Sequence, residues 1–264
     1  MDCRTYDRAA FTLQAFIPPT SLDAYLALRA FNLETARVAD LTSHPSIGPM
    51  RMQFWRDAVT RALAGSPPKE PVAVLLAHAN DALQQRTAGK SSLSAAWLSR
   101  MIRERERQLG NPPYASVAAL ETYAENTYAT LLYLTLQALP VHSVTADHLA
   151  SHVGKATGIA AVLRGLPLVA FPPPPNKHSA PGTVRQGAVT LPLDVMAEAG
   201  LREEDVLREG PAAPGLRDAV FAVATRANDH LITAREMLRN LRAGGDVGHA
   251  FEHGDEEGHG HGHG

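Results

Sequence analysis

Apolar residues recur along this chain every three to four positions, the spacing of helices, and no stretch shows the two-residue alternation of strands. A first helix is predicted over residues 4–16 and ends at Pro18-Pro19, which cannot continue it. Thr20 or Ser21 then caps a long helix over 22–41, with Asp23 in its first turn. That helix carries Leu22, Tyr25, Leu26, Leu28, Phe31, Leu33 and Val38 on more than one side, as a central bundle helix would. Further helices are predicted over 48–63, 71–85 and 92–109, the last finishing in RERERQLG, which reads as a solvated face of neighbouring Glu and Arg. Two long helices follow over 116–139 and 145–166. A proline-rich loop spans 171–187, and a short helix is entered at Pro192. An acidic turn, LREEDVL, leads to a final helix over 216–241. From Gly244 the chain is low-complexity. The expectation is an all-α, single-domain helical bundle over residues 1–241 with a disordered tail over 242–264.

Composition narrows the classes. The formal net charge of −2 and the absence of a long Lys/Arg run exclude a strongly basic nucleic-acid binder, so no nucleic-acid partner is expected. Cys3 is the single cysteine, which excludes a disulfide framework and a thiolate metal site. No apolar run approaches the roughly 20 residues that span a bilayer. Asp2 and Asp7 sit in the N-terminal stretch, where a transit peptide would be poor in acids, so none is visible. The tail carries His249, His253, His259, His261 and His263; the last three are weak metal candidates, and the plainer reading is a solvated tail. Trp55 and Trp97 stand among Leu and Met at helical spacing and read as core or partner-contact aromatics. No nucleophile elbow, phosphate-binding loop or paired-histidine zinc motif occurs, and no catalytic residue or cofactor is expected.

The stretch HVGKATGIAAVLRGLPL (152–168) resembles the second metal-binding helix of the squalene/phytoene synthase family, G-x-A-x-Q-x-T-N-I-L-R-D-x-x-x-D. Gly154, Ala156, Leu163 and Arg164 match. Gly158 stands for Gln, Ala161 for Asn, Gly165 for the first Asp and Val169 for the second. LALRAFNLETARVAD is similar to the first aspartate signature, YAENTYATLLYLTL to the family's tyrosine helix, and LPLDVMAEAG to a later segment. The resemblance implies a bundle of the trans-isoprenyl diphosphate synthase type. Its enzymes place carboxylates one helical turn apart on two facing helices, hard oxygen ligands that hold Mg²⁺ against a diphosphate leaving group. Here Ala36 and Arg37 replace the first pair and only Asp40 remains; Arg37 is expected to pair with Asp40 or Glu34. Ala36, Arg37, Asp40, Tyr123, Gly158, Ala161, Arg164 and Gly165 are therefore expected to outline a relic pocket, without catalysis or metal. Glu121 and Glu125, one turn apart, read as carboxylates favouring a helix dipole. Glu203 and Asp205 read as surface charge in a loop.

Within the family, LRAFNLE, IGPMRMQFWRDAV, LETYAENT, LLYLTL, DHLASHVGKATGI and LPLDV resemble most specifically a branch serving assembly of mitochondrial complex I, the NADH:ubiquinone oxidoreductase. That resemblance implies a non-catalytic protein on the matrix side of the inner membrane, in peripheral contact with it. Its partners would be complex I subunits or assembly intermediates. Two alternatives stay open. One is a prenyl-lipid or diphosphate-binding protein, with Arg51, Arg56 or Arg164 on an anionic headgroup or in plain salt bridges. The other is a residual prenyl transferase with its metal site rebuilt around Asp40, Glu121 and Glu125. The family continues past its last motif with helices that close the bundle. A truncated chain with an apolar groove exposed at its C-terminal side is the corresponding expectation.

Overall fold

The computed structural model describes residues 7–41, 46–172 and 187–243, and all regular structure among them is helical. Asp7 caps α1 (Arg8–Leu13) by accepting from the Ala10 N–H, and a 3₁₀ turn (Gln14–Phe16) follows. The Tyr25 hydroxyl donates to the Ala10 carbonyl at 2.9 Å, and Arg29 pairs with Asp7; together they tie α1 to the next helix. That helix, α2 (Pro19–Ala36), starts at Pro19, earlier than the sequence pattern indicated. A proline is well placed there because the first-turn N–H it lacks has no intrahelical acceptor. Neither Thr20 nor Ser21 caps it; the Ser21 hydroxyl donates to the Ala138 carbonyl at 3.0 Å instead. Nor does the helix run to Leu41. Arg37, at φ −77° and ψ −9°, turns the chain into a separate short piece, α3 (Val38–Leu41).

The remaining helices are α4 (Ile47–Leu63), α5 (Pro71–Arg86), α6 (Ala95–Arg107), α7 (Val117–Ala124), α8 (Thr130–Ala138), α9 (Val144–Ala170), α10 (Leu193–Glu198), α11 (Glu203–Glu209) and α12 (Leu216–Arg242). α7 and α8 are one rod, as expected from the pattern over 116–139, but a π turn (Glu125–Ala129) widens its middle, and the Thr130 hydroxyl bonds back to the Glu125 carbonyl. α9 passes the expected stop at Leu166 and includes Pro167. The proline lies on an exposed face, and its own carbonyl still accepts from the Phe171 N–H at 3.0 Å. The expected acidic turn is the helix α11. Asp205 is buried there between Arg202 and Arg208, and Glu203 accepts from the Val189 N–H, so these are not loop charges.

Two apolar clusters form the core. One gathers α2, α4, α5, α6 and α8 around Phe31, Met52, Leu76, Leu98 and Leu134; Phe31 meets Trp55 edge-on with ring centroids 5.7 Å apart. Trp55 is thus a core residue, and Trp97 packs on the Tyr133 ring. The other gathers α7, α9, α10, α11 and α12 around Leu120, Ile159, Leu191 and Val223. α9 is the spine of this half, lying against α12, α7, the π turn and α8. By length and composition it could also cross a membrane, with 27 residues and a mean hydropathy of 1.3 over its most apolar stretch. This corrects the expectation that no segment is long enough. Its apolar residues are spread around the helix among His148, His152 and Lys155, not gathered in one run. On the last two long helices Leu168, Phe221 and Ile232 are exposed, as are Leu238 and Leu241. Phe221 and Ile232 share one face of α12, while Leu238 and Leu241 lie elsewhere around it.

Candidate functional site

A cleft of about 250 Å³ opens at the seam between the two clusters, where the end of α2 faces α6, α7 and α9. Ala36, Tyr123, Ala161 and Gly165, four of the residues expected at a relic pocket, line it together with Val169 and Ala39. Among the described residues, Arg37, Gly158 and Arg164 do not line it. Arg164 points to solvent, and Arg37 forms the turn after α2. Asp40 lies on α3, its side chain outside the described set, and the tail histidines lie outside the described residues.

Gly158 serves a helix crossing. A Cβ there would come within 2.6 Å of the Ala124 Cβ and 2.9 Å of the Tyr128 ring. Gly154 is tighter still against Ala129 of the π turn. Gly165 differs, because a Cβ there would meet nothing within 4 Å. Ala36, Gly165 and Val169, which the resemblance sets against metal-ligand positions of the family, line the cleft with small groups. Among the described residues no carboxylate lines the cleft.

The residue that dominates its electrostatics is Arg105. The RERERQLG run was expected to be a solvated face, yet Glu104 and Arg105 are both buried. The signal was present in the sequence: Leu98, Met101, Ile102 and Arg105 form an i, i+3, i+4, i+7 stripe, so Arg105 continues the buried side of α6. Its Nη1 donates to the Tyr123 hydroxyl and its Nη2 to Asn32 Oδ1 at 3.2 Å. Its guanidinium carbon lies 5.3 Å from the Tyr123 ring centroid and 5.5 Å from that of Tyr128. Burial pushes the Tyr114 hydroxyl well above its ordinary range. Burial also pushes the Tyr123 hydroxyl up to about 12, against the opposing pull of Arg105. Both phenols stay protonated and can donate.

Glu121 and Glu125 are each held by other partners, and neither lines the cleft. Glu121 accepts from Arg226 and from His230 Nε2 at 2.9 Å. Burial alone would raise its pKa, but these two donors outweigh it and hold the carboxyl down at about 2. His230 Nδ1 faces His152 Nδ1 at 3.0 Å, so the two rings share one proton between them. Glu125 accepts from the Tyr133 hydroxyl at 2.5 Å and the Ser151 hydroxyl at 2.7 Å, with Lys155 at 3.8 Å. Arg56 forms a two-pronged pair with Glu106, 3.0 Å on each arm, which is the plain salt-bridge alternative.

These features define a helical isoprenoid-synthase fold whose central cleft is lined by small residues, tyrosines, neutral polar side chains such as Gln108 and Asn111, and one arginine. A solved dehydrosqualene synthase in complex with ligand has this fold, with a TM-score of 0.66 over 90% of this chain and 74% of that one, at 14% identity. The family pattern of squalene/phytoene synthases matches residues 3–248, and the chain belongs to that family. Similar relatives include the "NADH dehydrogenase (ubiquinone) complex I, assembly factor 6" proteins of Rattus norvegicus, at 41% identity over 91% of this chain, and of Homo sapiens, at 37% over 90%. A homolog of that protein in Drosophila melanogaster is 34% identical over 88% of the chain. The chain spans about 65% of the length of the rat and human relatives.

Proposed function

We propose that this protein is a non-catalytic assembly factor for mitochondrial respiratory complex I, working through contacts with complex I subunits or assembly intermediates on the matrix side of the inner membrane. The observation that carries the reading is the cleft. Its walls present Ala36, Ala161, Gly165 and Val169 where the family's chemistry needs oxygen ligands, and a buried arginine stands in the same space. A fixed guanidinium repels a divalent cation, and without that cation the diphosphate leaving group has nothing to neutralise its developing charge. The similarity to complex I assembly factors supports the same role. Attachment to the membrane would be peripheral, through exposed apolar side chains such as Phe221 and Leu168.

The test is complex I content by native gel and NADH:ubiquinone activity in mitochondria of cells lacking the gene. Selective loss of assembled complex I, rescued equally by the wild type and by Asp40→Ala, is the expected result. Intact complex I refutes the assembly role, and failure of Asp40→Ala alone refutes the absence of catalysis.

A further inference from the structure

Among the described residues, the charge at the cleft is met by no carboxylate. Arg105 is only 8% exposed, and both acceptors it reaches, Tyr123 and Asn32, are neutral. Its Nε has no acceptor among the described residues. Glu104, the adjacent carboxylate, is turned away to Arg107 at 3.2 Å and Asn126 at 3.0 Å. Burying a cation without a counter-charge is strongly unfavourable, and tyrosine faces offset only part of that cost. The Nε–H, and the hydrogens not given to the neighbouring tyrosines and Asn32, lie in the fork geometry that fits an oxyanion.

The rest of the cleft narrows what that oxyanion is. The α9 side is apolar, through Ala161, Val162 and Val169. The volume, about 250 Å³, falls below the usual range of pockets that take drug-sized or long-chain ligands. One cation and no carboxylate among the described lining residues suits a single negative charge.

We propose that this cleft binds a small organic monocarboxylate directly at Arg105, with no divalent cation between them. The carboxylate lies on the guanidinium and the tyrosine hydroxyls, and a short apolar portion lies against α9. This goes beyond the assembly role and stands independently of it.

The test is calorimetric titration of the full chain with butyrate in the presence of EDTA, with butanol and inorganic phosphate as comparison probes. Saturable one-site binding of butyrate, none of butanol, and weakening of about tenfold or more in Arg105→Lys are expected. Gly165→Asp guards against a variant that merely unfolds, since its Cβ enters open space while its carboxylate faces the site. It is expected to keep its helical circular dichroism and lose butyrate binding. The proposal is overturned if the wild type shows no saturable binding up to about 10 mM, an affinity too weak to count as a built site. It is equally overturned if Gly165→Asp binds as the wild type does, if binding requires Mg²⁺, or if phosphate binds more tightly than butyrate.

Discussion

Glycines on one helix should respond in opposite directions to the same substitution. Gly154 and Gly165 both lie inside α9, where replacing glycine by alanine favours a helix by about 1 kcal/mol through propensity alone. At Gly154 the added methyl would sit 2.5 Å from the Ala129 Cβ, and closer still to the Ala129 backbone N and Cα. Ala129 is fully buried in the π turn, and a backbone cannot swing aside as a long side chain can. Overpacking of this kind costs about 1–3 kcal/mol, and contact with backbone on both sides favours the upper end. Gly154→Ala is therefore expected to lose about 2 kcal/mol net, a fall of about 4–8 °C in Tm for a chain of this size. At Gly165 nothing stands within 4 Å, so Gly165→Ala should keep the propensity gain and melt about 2–4 °C higher. Thermal unfolding followed by far-UV circular dichroism measures both. A Gly154→Ala protein melting at or above the wild type, or both variants shifting the same way, would refute the reasoning about where α9 touches its neighbours.

Three further outcomes are expected. Phe31→Ala removes a fully buried ring that meets Trp55 edge-on, and it should cost about 3–5 kcal/mol in urea unfolding, with Trp55 emission shifting toward that of exposed tryptophan. Glu121 has a folded-state pKa held near 2 against an ordinary 4.5, so its contribution is complete above about 4.5 and is lost as pH falls toward 2. Urea unfolding across that range should show this limb in the wild type and a flatter one in Glu121→Gln. His152 is held below its ordinary 6.5 by burial first and by the neighbouring His230 next. The unfolded chain therefore binds its proton more readily, stability should rise with pH through this range, and the His152 ring should titrate below 6.5 by NMR.

Much of the helical order was legible because its causes are local. Pro18-Pro19, Pro67-Pro68 and Pro112-Pro113 punctuate the chain, and Glu70, Ser94, Ser116 and Ser143 cap four of its helices. Features that depend on a neighbour were not legible. The break at Arg37 and the π turn at Glu125–Ala129 change a helix without changing its apolar period. Pro167 looked like a stop, yet on an exposed face the helix absorbs it. For the cleft, the structure places Ala36, Ala161 and Gly165, which the resemblance had named together, on one lining. Arg105 escaped because charge was read by composition. Its position seven residues after Leu98 and three after Ile102 would have put it on the buried side.

The lining of the cleft also bears on what holds the two halves of the bundle together. Helices that face one another with paired carboxylates repel until a divalent cation lies between them, so such a fold gains stability when metal binds. Here Ala36 and Ala161 line the same cleft, and the seam is tied by Arg105 reaching from α6 to Tyr123 of α7 and Asn32 of α2. Those bonds are present without any ion. Thermal unfolding should accordingly give the same Tm in EDTA as in millimolar Mg²⁺, and Asp40→Ala should leave that equality intact. A Mg²⁺-dependent rise of several degrees, lost in Asp40→Ala, would show that the surviving aspartate still belongs to a working metal site. The helices would then be held by the family's chemistry and not by the arginine that now occupies its place.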